Sequence, residues 1–368
     1  MEQLSQIGPP AGLSATHAGA FRRRLAAWYR DHARELPWRG ITDPYRTWVS
    51  EVMLQQTRVA AVLEHYDRFL RLFPTVEALA SADEPEVLAA WSGLGYYRRA
   101  RMLHTAVRFV VRELGGRIPE TAEALRTLPG VGEYTSAAIA SIAFGESVAV
   151  VDGNVERVLL RVTGRAEDPS AAGRRFVREQ AAALVPPKRL SGDTNAAGDH
   201  NQAMMELGAT ICLPKSPLCL NCPVQSLCAT RGEHKTAPRP GQTSRAAAFL
   251  LATRKDGALT EVLLERRAPD ASLMPGMFEL PPLSLDTVAE REPILRVKHS
   301  ITNTNYSVAV YAGSDDSLAA TGALAWFPLT KLRELPLTGL ARKVLKRMQL
   351  LVLPDGPAAR GAGVATPF

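Results

Sequence analysis

Every cysteine of the chain falls within seventeen residues, CLPKSPLCLNCPVQSLC, from Cys212 to Cys228, and this concentration restricts the fold more than any other feature. Cys212, Cys219, Cys222 and Cys228 are spaced C-x6-C-x2-C-x5-C, with Pro217 and Pro223 stiffening the loop between them. Disulfides do not suit a chain with no export signal. Four thiolates on one short loop suit a cube-like iron–sulfur cluster or a tetrahedral zinc. Zinc modules usually bring two C-x2-4-C knuckles and this loop has one, so the cluster is the expectation. The remaining alternative is four unligated thiols. A ferredoxin would be mostly loop, whereas here the loop follows some two hundred residues of other sequence, so a structural or DNA-docking role is expected rather than electron transfer.

At 368 residues the chain has room for two cores. A hydrophobic fraction of 46% and a charged fraction of 22% are those of a globular protein. No apolar run approaches the roughly 18 residues of a membrane-spanning helix. The N-terminal MEQLSQIGPPAGLSATHAG lacks both the basic-then-apolar pattern of a secretory signal and the Arg-rich pattern of a transit peptide. A cytoplasmic, nucleoid-associated protein is the expectation. The net charge of +7 favours a polyanionic partner without requiring one.

From Phe21 to about Ala209 the apolar residues recur at helical spacing, as in Val59, Val62, Leu63, Tyr66, Phe69 and Leu70. Thr75, Ser81 and Thr121 are expected as N-caps, and Gly93, Gly115 and Gly145 as helix stops. RGEHKTAPRPGQTSR then reads as a linker. Beyond it, AAAFLLATR and EVLLERR flank a KDG turn as a hairpin would, VKHSITNTNYSVAVYAG holds a further strand, and LTGLARKVLKRM a helix. The expected division is an all-α domain over 17–211, the cysteine loop over 212–228, a linker over 229–243, an α+β domain over 244–352 and a disordered tail over 353–368.

LPGVGEYTSAAIA places Gly130 and Gly132 on either side of Val131 between a short and a longer helix, the layout of a helix-hairpin-helix. Such a turn aims backbone N–H groups outward, ready for a phosphate oxygen. In VDGNVERVL, Asp152 opens a helix, either as a plain N-cap or also as a carboxylate kept charged by the helix field. Glu51 lies among apolar neighbours in YRTWVSEVMLQQTRV. Buried there, its pKa rises and it becomes a proton donor near neutral pH; on an exposed helix face it does nothing of the kind. One carboxyl kept protonated and one kept charged is the division of labour of glycosidic bond cleavage.

Taken together, the cysteine spacing, LPGVGEYTSAAI, VDGNVERV, SEVMLQQTRV and GLGYYRRARML resemble the adenine DNA glycosylases of the MutY type, in the helix-hairpin-helix superfamily shared with endonuclease III. The resemblance runs from about residue 20 to 352. It implies a multi-domain fold: an all-α helix-hairpin-helix glycosylase domain with an iron–sulfur loop holding one 4Fe-4S cluster, and a C-terminal α+β Nudix-like domain. It implies a monofunctional enzyme, acting as a monomer on double-stranded DNA, that removes adenine paired with 8-oxoguanine or guanine after extruding it from the stack.

Carried over by motif, Glu51 protonates adenine at N7 and Asp152 supports the oxocarbenium ion. Tyr134 stands where endonuclease III has the lysine that cleaves the strand; it is assigned to supporting Asp152, with Asn154 beside it. Gln56 and Tyr96 match wedges in the base stack, and Thr57 and Leu94 match lesion contacts. Trp38, Arg39, Leu54, Val59 and Gln202 match the adenine pocket, and Gly130, Val131 and Gly132 the phosphate-binding hairpin. In the C-terminal domain, GMFELPPL and WFPLTKLRELPLTGLARKVL carry the likeness, and no Glu-rich metal helix is present for hydrolysis. Its reading loop departs from the family's Phe-Ser-His: His299, Thr302 and Asn303 are the residues expected to inspect the lesion. Two other readings are a glycosylase and lyase of the endonuclease III type acting on oxidised pyrimidines, and a non-catalytic iron–sulfur DNA-binding or electron-transfer protein.

Overall fold

A computed structural model describes residues 15–187, 195–234, 241–314 and 323–351. The tail expected over 353–368 and the middle of the linker, 235–240, lie outside the described residues. Helices come first: α1 (Ala15–His32), α2 (Pro44–Leu54), α3 (Val59–Leu72), α4 (Val76–Ser81), α5 (Glu84–Trp91), α6 (Arg98–Leu114), α7 (Ala122–Leu125), α8 (Glu133–Phe144), α9 (Gly153–Thr163), α10 (Ala171–Leu184) and α11 (Ala196–Thr210). Strands follow: β1 (Thr243–Leu251), β2 (Thr253–Asp256), β3 (Leu259–Arg266), β4 (Phe278–Glu279), β5 (Pro282–Leu283), β6 (Leu295–Ile301), β7 (Thr304–Ala312) and β8 (Ala323–Pro328), before a closing helix α12 (Gly339–Arg347). Among the described residues no helix is long and apolar enough to cross a membrane.

The chain forms two compact units whose boundaries cross the expected single cut at the linker. The first comprises Met1–Gln55, Thr75–Ala80 and Met102–Arg239; the second comprises Gln56–Pro74, Ser81–Arg101 and Pro240–Phe368.

In the first unit Phe21, Leu25 and Trp28 of α1 meet Val155, Val158 and Leu159 of α9, Val177 of α10, and Met204 and Leu207 of α11 in one core, which Val224 of the cysteine loop completes. Burying each such side chain stabilises the fold by about 1.5–3 kcal/mol. The local chemistry sets the ends of the helices. Asp43 caps α2 by accepting from the Tyr45 and Arg46 amides, with Pro44 preset for the first turn. Thr75 Oγ1 accepts from the Ala78 amide and Thr121 from the Ala124 amide, as expected of N-caps. Ser81 does not cap a helix: it ends α4, and Asp83 caps α5 in a box with Glu86.

In the second unit Phe69 of α3 and Trp91 of α5 pack edge to face, 5.8 Å between ring centroids. The Ser92 and Tyr97 hydroxyls both donate to the Leu337 carbonyl, each at 2.9 Å, and Arg101 donates to the Pro275 carbonyl at 2.6 Å. These bonds group the helical stretches with the sheets. One sheet has the order β5-β1-β7-β6; the other has β2-β3-β4, with β8 also paired to β3. The expected hairpin around the KDG turn forms, β2 pairing antiparallel with β3 from Asp256 opposite Leu259 to Thr253 opposite Val262, but AAAFLLATR supplies only the start of its first arm. It breaks at buried Ala252, so that β1 runs parallel to β7 while β2 turns back antiparallel on β3. VKHSITNTNYSVAVYAG is likewise two strands, β6 and β7, paired through Ile301 and Thr304 around the turn Thr302–Asn303.

Candidate active site

Glu51 sits in α2, where Thr47 through Met53 are all buried, and is itself only 5% exposed. Burial pushes its carboxyl up to about 7, against the opposing pull of a hydrogen bond from Tyr134. That bond is short: the Tyr134 hydroxyl donates to Glu51 Oε2 at 2.6 Å. Burial, with Glu51 next to it, in turn raises the Tyr134 phenol well above its ordinary range. The charge of Asp152 also raises Glu51 and that of Arg39 lowers it, so both stand within electrostatic reach. Tyr134 comes from the first turn of α8, after a hairpin in which Gly130 adopts φ +73 and a Cβ would come within 2.8 Å of Met102. Gly132 is the N-cap of α8, and Val131 between the two glycines is buried.

Asp152 caps α9, accepting from the Val155 amide at 2.7 Å and from Asn154 Nδ2 at 2.8 Å. Tyr134, expected to support Asp152, makes its direct hydrogen bond to Glu51 and stands within electrostatic reach of Asp152. The phenol reaches Glu51, and Asn154 and the helix amide hold Asp152. Asn154 is held from the other side by Arg157 Nη2 at 2.8 Å, and the same guanidinium donates through Nε to the Cys212 carbonyl at 2.8 Å.

The four cysteines line a single cavity together with Arg161 and Arg231. Arg161 anchors the loop by donating to Cys212 Sγ at 3.4 Å and to the Leu213 and Pro214 carbonyls. Burial, then the neighbouring cysteines, raises the Cys219 thiol, and Cys222 is pushed up to about 11. Among the described residues no group of three or more His, Cys, Asp or Glu is drawn together as a site for a metal ion. The cysteines surround a shared space, and a set of desolvated thiols around a cavity flanked by guanidinium groups fits a cluster that would bind them as thiolates.

A second polar network holds Arg39 and Gln202, two of the residues expected to form the adenine pocket. Glu206, 1% exposed in its side chain, pairs with Arg34 at 2.7 Å and with Arg39 at 2.5 Å. Burial alone would raise its carboxyl, but the two arginines pull it down to about 2. Arg39 lies over the Tyr29 ring, 5.4 Å from its centroid, and Tyr29 donates to Gln202 Oε1 at 2.8 Å. Trp38 is buried and Leu54 half-buried at the end of α2. Arg34, Tyr29 and Glu206 were not singled out from sequence. A carboxylate four residues after Gln202 in the apolar AMMELG stretch was the available signal for Glu206.

The remaining expected contacts lie in the second unit. Leu94, Tyr96, His299 and Thr302 line one cleft of about 850 Å³, together with Arg98, Arg101, Arg342, Lys343 and Lys346. Tyr96 and Thr302 are held at φ 48 and 51, and Met274, which also lines the cleft, at 48. Such left-handed residues are strained, most of all a β-branched threonine, and strain of this kind collects at functional sites. Gln56 has φ 53 but does not line the cleft. Neither do Thr57, whose hydroxyl accepts from Arg99 at 2.9 Å, Val59 at the start of α3, nor Asn303, whose carbonyl accepts from the Thr243 amide at 3.0 Å. The Thr302 hydroxyl donates to the Ile301 carbonyl at 2.8 Å, which leaves it as an acceptor toward the cleft. Met274, Arg342 and Lys343 had no signal in sequence beyond their residue type.

Comparison with known proteins gives these arrangements a context. Residues 49–186 match the HhH-GPD superfamily of base excision DNA repair proteins. The human adenine DNA glycosylase is 51% identical over 225 residues, which cover 58% of this chain and 39% of the relative; the chain thus spans about two fifths of that relative's length. The adenine DNA glycosylase of Mycobacterium tuberculosis is 38% identical over 248 residues, 67% of this chain and 79% of the relative. Among solved structures, a thermostable thymine-DNA glycosylase superposes with a TM-score of 0.53 at 30% identity, covering 59% of this chain and 97% of that one.

Proposed function

The chain belongs to the adenine DNA glycosylase family within the HhH-GPD superfamily, and from that premise we propose that it hydrolyses the N-glycosidic bond of adenine standing opposite 8-oxoguanine or guanine in double-stranded DNA. The observation that carries this reading is the buried Glu51 carboxyl, raised to about 7, bonded to Tyr134 and within reach of the Asp152 charge.

The target base must first leave the duplex: its N7 edge is open in the major groove, but a carboxyl as buried as Glu51 meets it only once the nucleotide is extruded into the enzyme. Protonated Glu51 then gives its proton to N7. Tyr134 occupies Oε2, so Oε1 carries that proton. Protonation lets adenine leave as a neutral base when the C1′–N9 bond breaks. The positive charge left on the sugar faces Asp152, a carboxylate fixed by Asn154 and the α9 amide and needing no reorganisation to stabilise it. Water adds to C1′ and gives up its proton to a carboxylate of the pair, leaving an abasic site. Tyr134 cannot form the Schiff base that strand cleavage by this route requires, so the backbone stays intact.

Cys212, Cys219, Cys222 and Cys228 would hold one 4Fe-4S cluster, which supplies a rigid, charged surface loop rather than a step of the hydrolysis. The hairpin of Gly130, Val131 and Gly132 contributes backbone N–H groups to a phosphate. Trp38, Arg39, Leu54 and Gln202 receive the adenine, while Gln56, Thr57, Leu94 and Tyr96 replace and steady the stack it leaves. The β-sheet region is the Nudix-like reader of the opposite base. The 8-oxoguanine Hoogsteen edge has an N7–H donor that guanine lacks, and the Thr302 hydroxyl, committed as a donor to Ile301, is an acceptor for it. His299 flanks it in the cleft and Asn303 shapes the turn. The protein acts as a monomer.

The test is a nicking assay on duplexes with adenine opposite 8-oxoguanine, guanine or cytosine. Adenine release with strand scission only after alkali, in the order 8-oxoguanine, guanine, cytosine, supports the proposal. Scission without alkali, or no release from any duplex, contradicts it.

A further inference from the structure

We propose that Tyr29 is a specificity-determining positioning residue, which holds the Gln202 amide in one of its two orientations so that the pocket takes adenine and rejects 6-oxopurines such as hypoxanthine; the inference rests on the adenine-glycosylase reading above.

A primary amide presents an acceptor and a donor side by side, and half a turn about its terminal bond exchanges them. Adenine offers an N6–H donor beside the N1 acceptor, whereas hypoxanthine and guanine offer the O6 acceptor beside an N1–H donor. A glutamine free to turn therefore fits both classes. Gln202 is not free to turn without penalty. Its Oε1 accepts from the Tyr29 hydroxyl at 2.8 Å, and among the described residues its side chain makes no other hydrogen bond. The second lone pair of Oε1 and both hydrogens of Nε2 thus remain for a base in one fixed order, which the proposal assigns to the N6–H and N1 of adenine. With the amide reversed, Nε2 would donate to the phenol oxygen, and the phenol hydrogen would lose its acceptor; an unpaired donor in a partly buried site is the more expensive defect.

The phenol is a fixed reference for this choice. Burial keeps it protonated up to about pH 12, so it is a donor throughout the neutral range. Its ring is covered by Arg39, which is anchored on Glu206 at 2.5 Å and on the Arg34 carbonyl at 2.9 Å. Glu206 lies one turn after Gln202 on α11. The same helix presents Met205, whose sulfur is 3.5 Å from the Tyr134 hydroxyl, so this face of α11 is shared with the Glu51 site.

The experiment measures single-turnover release of adenine and of hypoxanthine, each opposite 8-oxoguanine, by the full chain and by Tyr29→Phe, Gln202→Glu and the double variant. A carboxylate has two equivalent oxygens and no orientation to lose. In the glutamine background, Tyr29→Phe is expected to raise the hypoxanthine-to-adenine rate ratio about three- to tenfold, the equivalent of one net hydrogen bond. In the Gln202→Glu background the same substitution is expected to leave the ratio where it was. General damage to the fold would slow both bases together and not move the ratio. Adenine release with a ratio unmoved by Tyr29→Phe, or moved equally in both backgrounds, would overturn the inference. Absence of adenine release by the wild-type protein would instead overturn the reading beneath it, and the inference with it.

Discussion

The Tyr134 hydroxyl donates to Glu51 Oε2 at 2.6 Å across 83 positions of sequence, joining the first turn of α8 to the buried centre of α2. Two opposing effects meet in that contact. Burial favours the neutral carboxyl, and a donated hydrogen bond favours the carboxylate. Burial is the larger, and Glu51 comes to rest at about 7. A proton donor poised at working pH follows from this balance rather than from either effect alone.

A raised carboxyl pKa is a stability penalty at neutral pH. Glu51 is raised from 4.5 to about 7, so its contribution is fully present below pH 4.5, declines as pH rises to about 7, and is flat above. Glutamine at this position does not titrate and still accepts from Tyr134. Denaturant unfolding of Glu51→Gln is therefore expected to show a gain over wild type that grows between pH 4.5 and 7 to about 3 kcal/mol at most. A difference independent of pH would place the carboxyl in water.

Removing the phenol oxygen should act on the acid through its pKa. Tyr134→Phe deletes the bond that favours the charged form, so the alkaline fall of the adenine-release rate is expected to move upward by about one pH unit. Single-turnover rates between pH 6 and 9 measure it. An unmoved or lowered midpoint would remove Tyr134 from the proton donor's surroundings.

Asp152 serves α9 as a cap and, in the proposed mechanism, the sugar as a counter-charge. Asparagine caps as well as aspartate does, so Asp152→Asn separates the two. The variant is expected to unfold within about 1 kcal/mol of wild type and to release adenine about a hundred- to a thousandfold more slowly, while binding the duplex normally. Equal activity would leave Asp152 a cap and nothing more.

The parts of this molecule legible in sequence are those set by neighbours along the chain. Asp152 before Gly153 and an apolar helix, the paired glycines around Val131, and the four cysteines each carry their own signal: Asp152 caps α9, the glycines precede α8, and the cysteines line one cavity. What sequence hid depends on distant partners. The family resemblance links Tyr134 to Asp152, but only the packing of α8 on α2 brings the phenol to Glu51. AAAFLLATR reads as one strand because its apolar run from Ala246 to Ala252 is unbroken, and only the pairing of β1 with β7 and β2 with β3 shows the break at Ala252. The clamp of Arg34 and Arg39 on Glu206 spans more than 160 positions, too far for any local pattern.

Thr302 is a β-branched residue held at φ 51 in the β6–β7 turn. Glycine takes that conformation freely, so Thr302→Gly is expected to stabilise the protein or leave it unchanged, within about 1 kcal/mol, even though it removes a side chain. The same change deletes the acceptor offered to 8-oxoguanine. The preference for adenine opposite 8-oxoguanine over adenine opposite guanine is expected to fall about three- to tenfold. Greater stability with an intact preference would show that the strained threonine has no part in reading the lesion.

The central claim is that a protonated Glu51 starts the cleavage, and the pH dependence of single-turnover adenine release from an adenine:8-oxoguanine duplex tests it most directly. The expected result is a rate that is level below about pH 7, falls roughly tenfold per unit above it, and vanishes at every pH in Glu51→Gln. A rate that stays level to pH 9, or that survives in Glu51→Gln, would contradict it.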